Sequence, residues 1–419
     1  MTTRRRLLGG FAALAAAALP AAVRAATARV VIVGGGFAGA SCALALHRIA
    51  PSLELTVVEP RGAFLTGPFS NAALAGLIPP ERIRARPGDG LRRHGIRWLA
   101  QAAVALDPVA RELRLADRGR LQAERIVVAP GIDFVYDAID GLSAANSDAV
   151  PHAWRIDAQF ARLRAQLDAL PDGATVLIAA PPNPYRCPPG PYERASLFAW
   201  HAQRRGLRRR IVIADAKDDF SKRAAFTASW DTLYPGMIEW LPRAQGGTVV
   251  AVDVAARRAR LAGGETVHAA LLSVIPPQHA AAFARAADLA DASGWCPVEP
   301  LGFESTRHPG IHVLGDACIA TPMPKSAFAA NNQGKACALA IAHRLAGETP
   351  PPPLLLNTCY SLLAPDYALS VSGSYRAVGG RLNELSSGLS PAHADPALRE
   401  LEARHAEGWQ AQLLRDSFG

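Results

Sequence analysis

A strand, a glycine-rich turn and a helix near the start of the chain constrain its fold more than any other feature. The apolar strand pattern at residues 29–33 leads into Gly34-Gly35-Gly36-Phe37-Ala38-Gly39, and a helical pattern follows at 40–49. A second strand pattern, 53–58, ends at Glu59. This order is typical of a βαβ unit that binds a dinucleotide. The sequence therefore predicts an α/β protein with a dinucleotide site near its N-terminus.

The residues of this turn have separate roles. Gly34 permits the tight turn, Gly36 lets the backbone approach a pyrophosphate, and Gly39 lets the helix pack closely. Glu59 follows the second strand and can accept a hydrogen bond from a ribose hydroxyl. The cofactor site predicted from this segment comprises Gly34, Gly36, Phe37, Ala38, Gly39 and Glu59.

Two later strand ends decide which dinucleotide we expect. The strand pattern 125–128 ends in Ala129-Pro130-Gly131, and the pattern 310–314 ends in Gly315-Asp316. An acid at such a strand end can bind the ribityl and phosphate region of FAD, and NAD has no such middle segment. We therefore expect FAD, and these strand ends add Ala129, Gly131, Gly315 and Asp316 to the predicted cofactor site, to which Val104 is also assigned.

A second dinucleotide-type skeleton lacks the features that bind a nicotinamide cofactor. Strand patterns at 174–179 and 211–214 are followed by Asp215, but the segment from Pro181 to Pro191 between them holds six prolines in eleven positions. Proline has no backbone N–H to bind a pyrophosphate, and it prevents a helix from starting where its dipole is needed. We therefore expect no NAD(P)H binding here. The same segment contains Cys187.

The first 25 residues have the pattern of an export signal. Arg4-Arg5-Arg6 precedes an apolar stretch at 9–19, and Val23-Arg24-Ala25 supplies small residues before a cleavage site. Such a short stretch indicates a signal peptide rather than a spanning helix, and paired arginines are typical of the twin-arginine type. We therefore expect a mature chain from Ala26 in the periplasm, where a disulfide can persist, with no transmembrane anchor.

Composition excludes several classes of protein. The formal net charge of +9 includes four arginines in the first 25 residues, which leaves no concentrated basic face for nucleic acid. Six cysteines in 419 residues form no CxxC, no CxxCH and no zinc spacing. We therefore expect neither a c-type haem on this chain nor a metal site.

Two cysteines differ from the others in their surroundings. Cys187 lies among prolines and Cys359 follows the linker at 349–353, so both lie where reactive groups tend to be placed. The other four fit packing roles, with Cys318 at the start of a predicted helix: Cys42, Cys296, Cys318 and Cys337. The sequence alone does not pair Cys187 with Cys359. A bond between them is compatible with a redox centre or with a structural staple in an exported protein.

Several segments together resemble a known family. The most specific are the proline-framed Arg186-Cys187-Pro188-Pro189-Gly190 and Asn357-Thr358-Cys359-Tyr360-Ser361; the full set is 33–39, 128–132, 186–195, 294–298, 310–317, 322–326, 357–362 and 416–419. On these residues the chain resembles the flavoprotein subunit of flavocytochrome c sulfide dehydrogenase along nearly all of its mature length.

The resemblance implies a chemistry for the two cysteines. It assigns Cys187 and Cys359 to a redox-active disulfide beside the flavin, sulfide as the substrate, and a separate c-type cytochrome subunit as the electron acceptor. Hydrosulfide would attack one sulfur, leaving a persulfide and a thiolate, and the electron pair would pass to FAD. The resemblance makes Glu193 a candidate proton carrier. The alternative is that Glu193 is an acid at the start of a helix that interacts favourably with the helix dipole. Lys325 becomes a candidate for stabilising negative charge near the flavin. The alternative is that it is a surface lysine or a lysine that caps a helix.

The chain departs from the family pattern at Gly67. Members with covalently bound flavin place the attaching cysteine in a segment like Phe64-Leu65-Thr66-Gly67-Pro68-Phe69-Ser70-Asn71, and here no thiol is available. We therefore expect FAD to be held non-covalently, with Ser70 and Asn71 still lining the flavin.

The expected architecture is α/β, with two dinucleotide-binding domains of the glutathione-reductase type and a C-terminal interface domain. After the signal peptide at 1–25, residues 26–145 and 281–348 form the FAD-binding domain. Residues 146–280 form the second Rossmann-like domain, which carries Cys187, and residues 349–419 form the C-terminal domain, which carries Cys359.

Two other functions remain open beside the preferred flavin-dependent sulfide dehydrogenase. A sulfide:quinone oxidoreductase keeps the chemistry but needs an apolar helix for membrane docking, which the charged segment 398–418 does not supply. A flavin-binding accessory protein of a sulfur-oxidising system, without turnover of its own, is kept open by Gly67.

Overall fold

The computed structural model describes residues 28–419, so the predicted signal peptide at 1–25 lies outside the described residues. The helices are α1 (Phe37–Ile49), α2 (Ser70–Leu74), α3 (Pro87–Arg93), α4 (Ile156–Asp168), α5 (Gly190–Gln203), α6 (Arg223–Leu233), α7 (Ala282–Ala286), α8 (Ala327–Leu345) and α9 (Pro396–Phe418). In this part of the chain, no helix combines the length and apolar character needed to cross a bilayer.

The strands form three main sheets and several small ones. They are β1 (Arg29–Val33), β2 (Glu54–Val58), β3 (Phe64–Leu65), β4 (Arg84–Ala85), β5 (Arg97–Leu99), β6 (Ala103–Asp107), β7 (Glu112–Leu115), β8 (Arg120–Gln122), β9 (Arg125–Val128), β10 (Ile132–Phe134), β11 (Thr175–Ala180), β12 (Arg210–Asp215), β13 (Ile238–Leu241), β14 (Val249–Asp253), β15 (Arg258–Leu261), β16 (Thr266–His268), β17 (Leu271–Val274), β18 (Gln278–Ala280), β19 (Cys296–Pro297), β20 (Ile311–Val313), β21 (Cys318–Ile319), β22 (Leu354–Ala364), β23 (Tyr367–Val378) and β24 (Arg381–Leu389).

The first main sheet is parallel, with strand order β20-β9-β1-β2-β5. β1 is buried along almost its whole length, as expected for a central strand covered on both faces. α1 and α8 pack closely, because Gly334 of α8 lies against the backbone of Ala38. The carboxyl ends of β1, β9 and β20 meet at one edge, which is where open parallel sheets bind ligands.

The second main sheet is also parallel, with strand order β13-β12-β11-β17. The proline-rich segment connects β11 to α5, so α5 begins only at Gly190. α4, α5 and α6 pack their apolar faces into one core with β11 and β12, which includes Phe160, Phe198 and Phe226.

The third main sheet is antiparallel, with order β22-β23-β24, and α9 packs against it. α9 then returns to the first sheet, where the Phe418 ring lies 4.9 Å from Phe37 and 5.9 Å from Phe64. The Phe418 carbonyl reaches α3 so closely that a Cβ at Gly90 would lie 1.8 Å from its oxygen. The end of α9 is therefore part of the core around the first sheet.

Two boundaries differ from the sequence analysis. α1 begins at Phe37 rather than at residue 40, because the helix starts inside the glycine-rich turn. Cys318 does not start a helix: it lies in β21, paired with Cys296 of β19, and α8 begins at Ala327 after the cap Ser326. The segment 320–325 contains two prolines, Pro322 and Pro324, and this postpones the helix.

Candidate functional site

A cavity of about 560 Å³ lies at the carboxyl edge of the first sheet and reaches β22 and the start of α5. Its volume is in the usual range for a small-molecule or cofactor site. The predicted site residues that line it are Gly34, Gly36, Phe37, Ala38, Glu59, Ser70, Asn71, Ala129, Gly131, Cys187, Glu193, Gly315, Asp316 and Cys359. Residues from three predicted domains therefore meet in one place.

The glycine-rich turn is tight on its protein side and open on its cavity side. Gly34 has a φ of +97°, and a Cβ there would lie 2.3 Å from the carbonyl oxygen of Ala129. A Cβ at Gly39 would lie 1.9 Å from the carbonyl oxygen of Gly34, which explains the close packing of α1. At Gly36 a Cβ would meet nothing within 4 Å. The N-terminus of α1 thus faces free space, as binding of a pyrophosphate requires.

Glu59 lies buried at the end of β2 and is already hydrogen-bonded. It accepts from the backbone N–H of Gly35 at 3.1 Å, and from the backbone N–H and Nε of Arg61 at 3.0 and 2.8 Å. Burial raises the pKa of Glu59, but the hydrogen bonds and charge of Arg61 outweigh it, so the net pKa is lowered. The Arg61 side chain is 53% exposed. A ribose hydroxyl can reach Glu59 by displacing this half-exposed partner.

The residues around the middle of the cavity fit the ribityl region of FAD. Thr66 Oγ1 is buried without a hydrogen-bond partner, and the Asp316 carboxylate makes no hydrogen bond to any group in residues 28–419. Burial raises the pKa of Asp316, and the charges of Arg186 and Lys325 oppose this effect. Gly67 and Gly131 line the same region, and a Cβ at either would meet nothing within 4 Å. Buried polar groups of this kind need partners, which the hydroxyls of FAD can supply.

Cys187 is held at the end of the proline-rich segment by its own backbone. Its φ is +62°, its N–H donates to the Lys325 carbonyl at 2.9 Å, and its carbonyl accepts from the Gly190 N–H at 2.9 Å. A Cβ at Gly190 would lie 3.0 Å from the Cys187 sulfur, so a glycine is needed there. A left-handed backbone at a non-glycine residue is costly and is typical of functional sites.

Cys359 reaches the same cavity from β22, where it lies opposite Val371 of β23. The two sulfurs are not bonded to each other in the structure. They are near enough for a charge on Cys359 to raise the pKa of the Cys187 thiol, which burial raises most. Burial raises the pKa of the Cys359 thiol to about 11, with the Lys222 charge acting in the opposite direction.

Glu193 lies in the first turn of α5 and connects the parts of the site. Its Oε1 accepts from the Leu362 N–H of β22 at 3.0 Å, and its Oε2 accepts from the Asn71 amide at 2.9 Å. Burial raises the pKa of Glu193, and these hydrogen bonds offset only part of the effect. A buried carboxyl group beside two cysteines can hold or release a proton nearer neutral pH than an exposed one.

Three predicted site residues lie outside the cavity lining. The Lys325 ammonium donates to the carbonyls of Asp316 and Cys318 at 2.7 and 2.9 Å and lies over the Trp295 ring, so it braces the loop. Gly39 acts through packing alone. Val104 is 57% exposed on β6, in the β6-β7-β8 sheet, where the pairing with β7 shifts register between Ala103 and Ala105 and leaves Val104 in a β-bulge.

Several lining residues were not predicted from the sequence. Arg194 is buried, its Nε donates to the Asn71 side chain at 3.1 Å, and its guanidinium lies 4.5 Å from the Trp154 ring centroid. Burial lowers the pKa of Arg194 to about 9, although Cys187 and Glu193 oppose this. Arg194 lies in the segment 186–195, which is one of those that carry the family resemblance, so the sequence did contain a signal for it. Trp154 belongs to the connection before α4, which carries no recognisable motif.

Three family models match successive parts of the chain. The model of the pyridine nucleotide-disulphide oxidoreductases matches residues 28–166. The model of the central part of the sulfide dehydrogenase [flavocytochrome c] flavoprotein chain matches residues 161–276. The model of the flavin-binding part of flavocytochrome c sulphide dehydrogenase matches residues 351–418. The sulfide dehydrogenase [flavocytochrome c] flavoprotein chain of Chlorobaculum thiosulfatiphilum is 61% identical over 44 residues, which are 10% of this chain and 92% of that sequence. The chain belongs to this flavoprotein family.

Solved structures agree with the fold of the family. The sulfide:quinone oxidoreductase of Aquifex aeolicus superposes with a TM-score of 0.74 at 17% identity, covering 93% of this chain and 92% of that one. The ferredoxin reductase for the CYP199A2 system of Rhodopseudomonas palustris gives a TM-score of 0.63 at 18% identity, covering 83% and 82%. At these identities the likeness concerns the fold alone. The predicted family, the mixed α/β fold class and the flavin-dependent oxidoreductase class are confirmed.

Proposed function

We propose that this chain is an FAD-dependent sulfide dehydrogenase that works through a Cys187–Cys359 disulfide and passes electrons to a c-type cytochrome subunit. One observation carries the proposal. A single cavity is lined by the open glycine turn, by Asp316, by both cysteines and by Glu193. The name of the Chlorobaculum relative supports sulfide as the substrate and a cytochrome as the partner.

The cysteines perform the first bond exchange. In the oxidised protein the two sulfurs form a disulfide, and hydrosulfide attacks one of them to leave a persulfide there and a thiolate on the other. Glu193, which lies beside both sulfurs, holds or supplies the proton needed when the product leaves. FAD supplies an acceptor of electron pairs that can release single electrons to a haem.

Sulfide titration of the purified, flavin-loaded protein tests this proposal. We expect stoichiometric sulfide to bleach the flavin absorbance of the wild type, because the disulfide opens beside the cofactor. Cys187→Ser and Cys359→Ser should abolish the bleaching, whereas Cys42→Ser, at a buried cysteine of α1 outside the cavity, should retain it. If the wild-type flavin stays oxidised, the accessory-protein alternative is favoured instead.

We also propose that FAD is held without a covalent bond. Gly67 lines the cavity where the related segment would place a cysteine, and it has no side chain to form a thioether. After acid precipitation, FAD should therefore remain in the supernatant in about one equivalent per chain. Yellow precipitated protein would contradict this proposal without affecting the proposed reaction.

The electron acceptor is proposed to dock on the third sheet. Leu385 and Leu389 of β24 are 53% and 60% exposed, and the same sheet carries Cys359 on β22. An apolar patch on the surface is typical of a protein interface, and these two leucines would supply the apolar part of the proposed one. Replacing both leucines by glutamate should lower turnover with cytochrome c and leave sulfide-dependent bleaching unchanged. Comparing cytochrome c with a short-chain quinone separates this function from that of a sulfide:quinone oxidoreductase.

The proposed place of the reaction is the periplasm, reached by the twin-arginine route. The paired arginines Arg4 and Arg5 support this, and that route suits a protein that acquires its cofactor before export. Replacing both by lysine should leave the flavin-loaded protein in the cytoplasm, as cell fractionation would measure.

A further inference from the structure

Lys222 is a buried lysine behind the cysteine pair that the mechanism above does not use. It is 4% exposed and immediately precedes α6. Its φ is +67°, a backbone conformation that residues other than glycine seldom adopt. Its ammonium donates to Ser361 Oγ at 2.9 Å and to the Leu369 carbonyl at 3.2 Å. An ammonium has three donors, so these two acceptors leave one N–H for another group.

The two nearby carboxylates are committed to other partners. Glu193 accepts from Asn71 and from the Leu362 N–H, and Glu402 accepts from Arg399 at 2.9 Å and from Ser370 at 2.7 Å. Neither forms a salt bridge with Lys222, and no other carboxylate in the described part of the chain does so. A buried charge without an ion partner is costly.

The charges that face Lys222 include both cysteines. Burial lowers the pKa of Lys222, and among the opposing charges that of Cys359 is the largest, followed by Glu193, Cys187 and Glu402. The position of Cys359 explains this order. Cys359 and Ser361 are two residues apart on β22, so their side chains share one face of the strand, and Lys222 is hydrogen-bonded to Ser361.

The two sulfurs therefore differ as leaving groups. At Cys359 the charge of Lys222, which lowers the thiol pKa, outweighs that of Glu193, which raises it. At Cys187 the order is reversed, since the charge of Glu193 outweighs that of Arg186 or of Lys222, both of which lower the pKa. The N-terminus of α5 also lies beside Cys187, but Glu193 in the first turn of that helix opposes its effect. In disulfide exchange the sulfur with the lower thiol pKa leaves faster.

We propose that Lys222 is a positioning residue that stabilises the thiolate of Cys359, so that sulfide attacks Cys187 and Cys359 is the leaving group. The step balances as follows: HS⁻ forms a new S–S bond to Cys187, the Cys187–Cys359 bond breaks, and its electron pair remains on Cys359. The sulfide is oxidised to a persulfide that keeps its proton, and the disulfide is reduced. This inference rests on the proposed function and adds the direction of attack and the residue that sets it.

Trapping the persulfide tests the direction of attack in the wild-type holoprotein. One equivalent of sulfide is added without oxygen, all sulfurs are alkylated with iodoacetamide, and peptides are mapped by mass spectrometry. We expect an alkylated persulfide on Cys187 in at least about tenfold excess over Cys359, the ratio that one pKa unit of difference provides. Persulfide mainly on Cys359 overturns this inference alone. Persulfide on neither cysteine overturns the proposed function, and this inference with it.

The pH dependence of Cys359 alkylation tests the role of Lys222. In a Cys187→Ser background the iodoacetamide reaction of Cys359 reports its thiolate, because only the thiolate reacts. Lys222→Met should move the midpoint of the pH profile upward by about one pH unit or more and slow alkylation at pH 8 about tenfold, because an adjacent cation favours the charged form. Lys222→Arg should restore both.

A milder variant keeps the test informative if Lys222→Met fails to fold. Ser361→Ala removes only the hydroxyl that holds the ammonium. It should move the same midpoint in the same direction by a smaller amount, with a normal flavin content. If the Cys187→Ser protein, its Lys222→Met variant and its Ser361→Ala variant all have the same midpoint, the assignment of Lys222 is overturned, whatever the thermal stability of the variants.

Discussion

The two dinucleotide-type folds of this chain share a plan and differ in what occupies it. In each, an acid ends the second strand and a base follows two residues later: Glu59 with Arg61, and Asp215 with Lys217. Arg61 is 53% exposed and faces the cavity, whereas Lys217 is 8% exposed and lies inside the protein. In the first pair a ligand can replace Arg61 as the partner of Glu59. In the second pair Asp215 and Lys217 are both buried, so a ligand cannot reach them.

Aromatic side chains complete the closure of the second fold. Asp215 also accepts from the Tyr192 hydroxyl at 2.5 Å and from the Trp240 indole at 2.9 Å. Phe220 stacks on Tyr192 at 3.5 Å between ring centroids. The place where a nucleotide would bind is thus filled by the protein. The comparison shows that a βαβ skeleton does not itself provide a nucleotide site, since side chains decide whether space remains.

Breaking the closed pair should have the largest effect. Asp215→Asn keeps the shape but leaves Lys217 as a buried charge without its counterion, so we expect a loss of about 3–5 kcal/mol in the free energy of unfolding. Denaturant titration measures it. Glu239→Gln, which breaks the exposed pair with Arg210, should cost less than about 1 kcal/mol. Equal costs would show that the second fold is not closed as described.

Closing the open turn from its protein side should have the next largest effect. Gly39→Ala places a Cβ 1.9 Å from the Gly34 carbonyl oxygen, so α1 must move. We expect about 3 kcal/mol of destabilisation, near the upper end for overpacking, together with loss of FAD. Thermal unfolding and the ratio of flavin to protein measure both. An FAD-replete Gly39→Ala protein would be inconsistent with this packing.

Filling the turn from its cavity side separates binding from folding. Gly36→Ala adds a methyl group where the protein has nothing within 4 Å, so apoprotein stability should change by less than about 1 kcal/mol. FAD affinity should fall at least about tenfold, which corresponds to 1.4 kcal/mol. Calorimetric titration of the apoprotein with FAD measures this. Unchanged affinity would place the pyrophosphate elsewhere.

The first turns of the two helices predict a smaller, pH-dependent difference. α1 has no acid there, whereas α5 has Glu193, whose pKa is raised by burial. This contribution to stability is fully present below the ordinary pKa of 4.5 and is lost as pH rises through the raised pKa. Unfolding free energies measured across that range should decline in the wild type and decline less in Glu193→Gln. Parallel profiles would show that folding does not raise the pKa of Glu193.

The smallest effect on stability is expected when the Glu59–Arg61 pair is broken. Arg61→Met removes a half-exposed partner of Glu59, and solvent screening reduces the contribution of such a pair to about 1 kcal/mol or less. Lys217→Met, the matched change in the second fold, should cost several times more. Denaturant titration of both variants provides the ratio, and a ratio near one would remove the distinction between the open and closed folds.

The features that sequence predicted best are those fixed by backbone chemistry. The glycine turn, the terminal acid and the proline-rich segment have local causes, so their place in the fold follows from spacing. Lys222, Arg61 and Trp154 could not be found in this way, because their roles depend on contacts with residues distant in the sequence. Val104 and Lys325 show the converse: a β-bulge leaves Val104 exposed, and the Lys325 ammonium binds two carbonyls of its own loop.

The return of α9 to the first sheet has a consequence for synthesis. Phe418 packs against Phe37 and Phe64, and its carbonyl lies against Gly90. A ribosome releases the N-terminal βαβ unit hundreds of residues before it adds residue 418. The cofactor cleft therefore cannot reach its final packing during translation, and any step that requires the finished protein must wait until the nascent chain has been extended through α9.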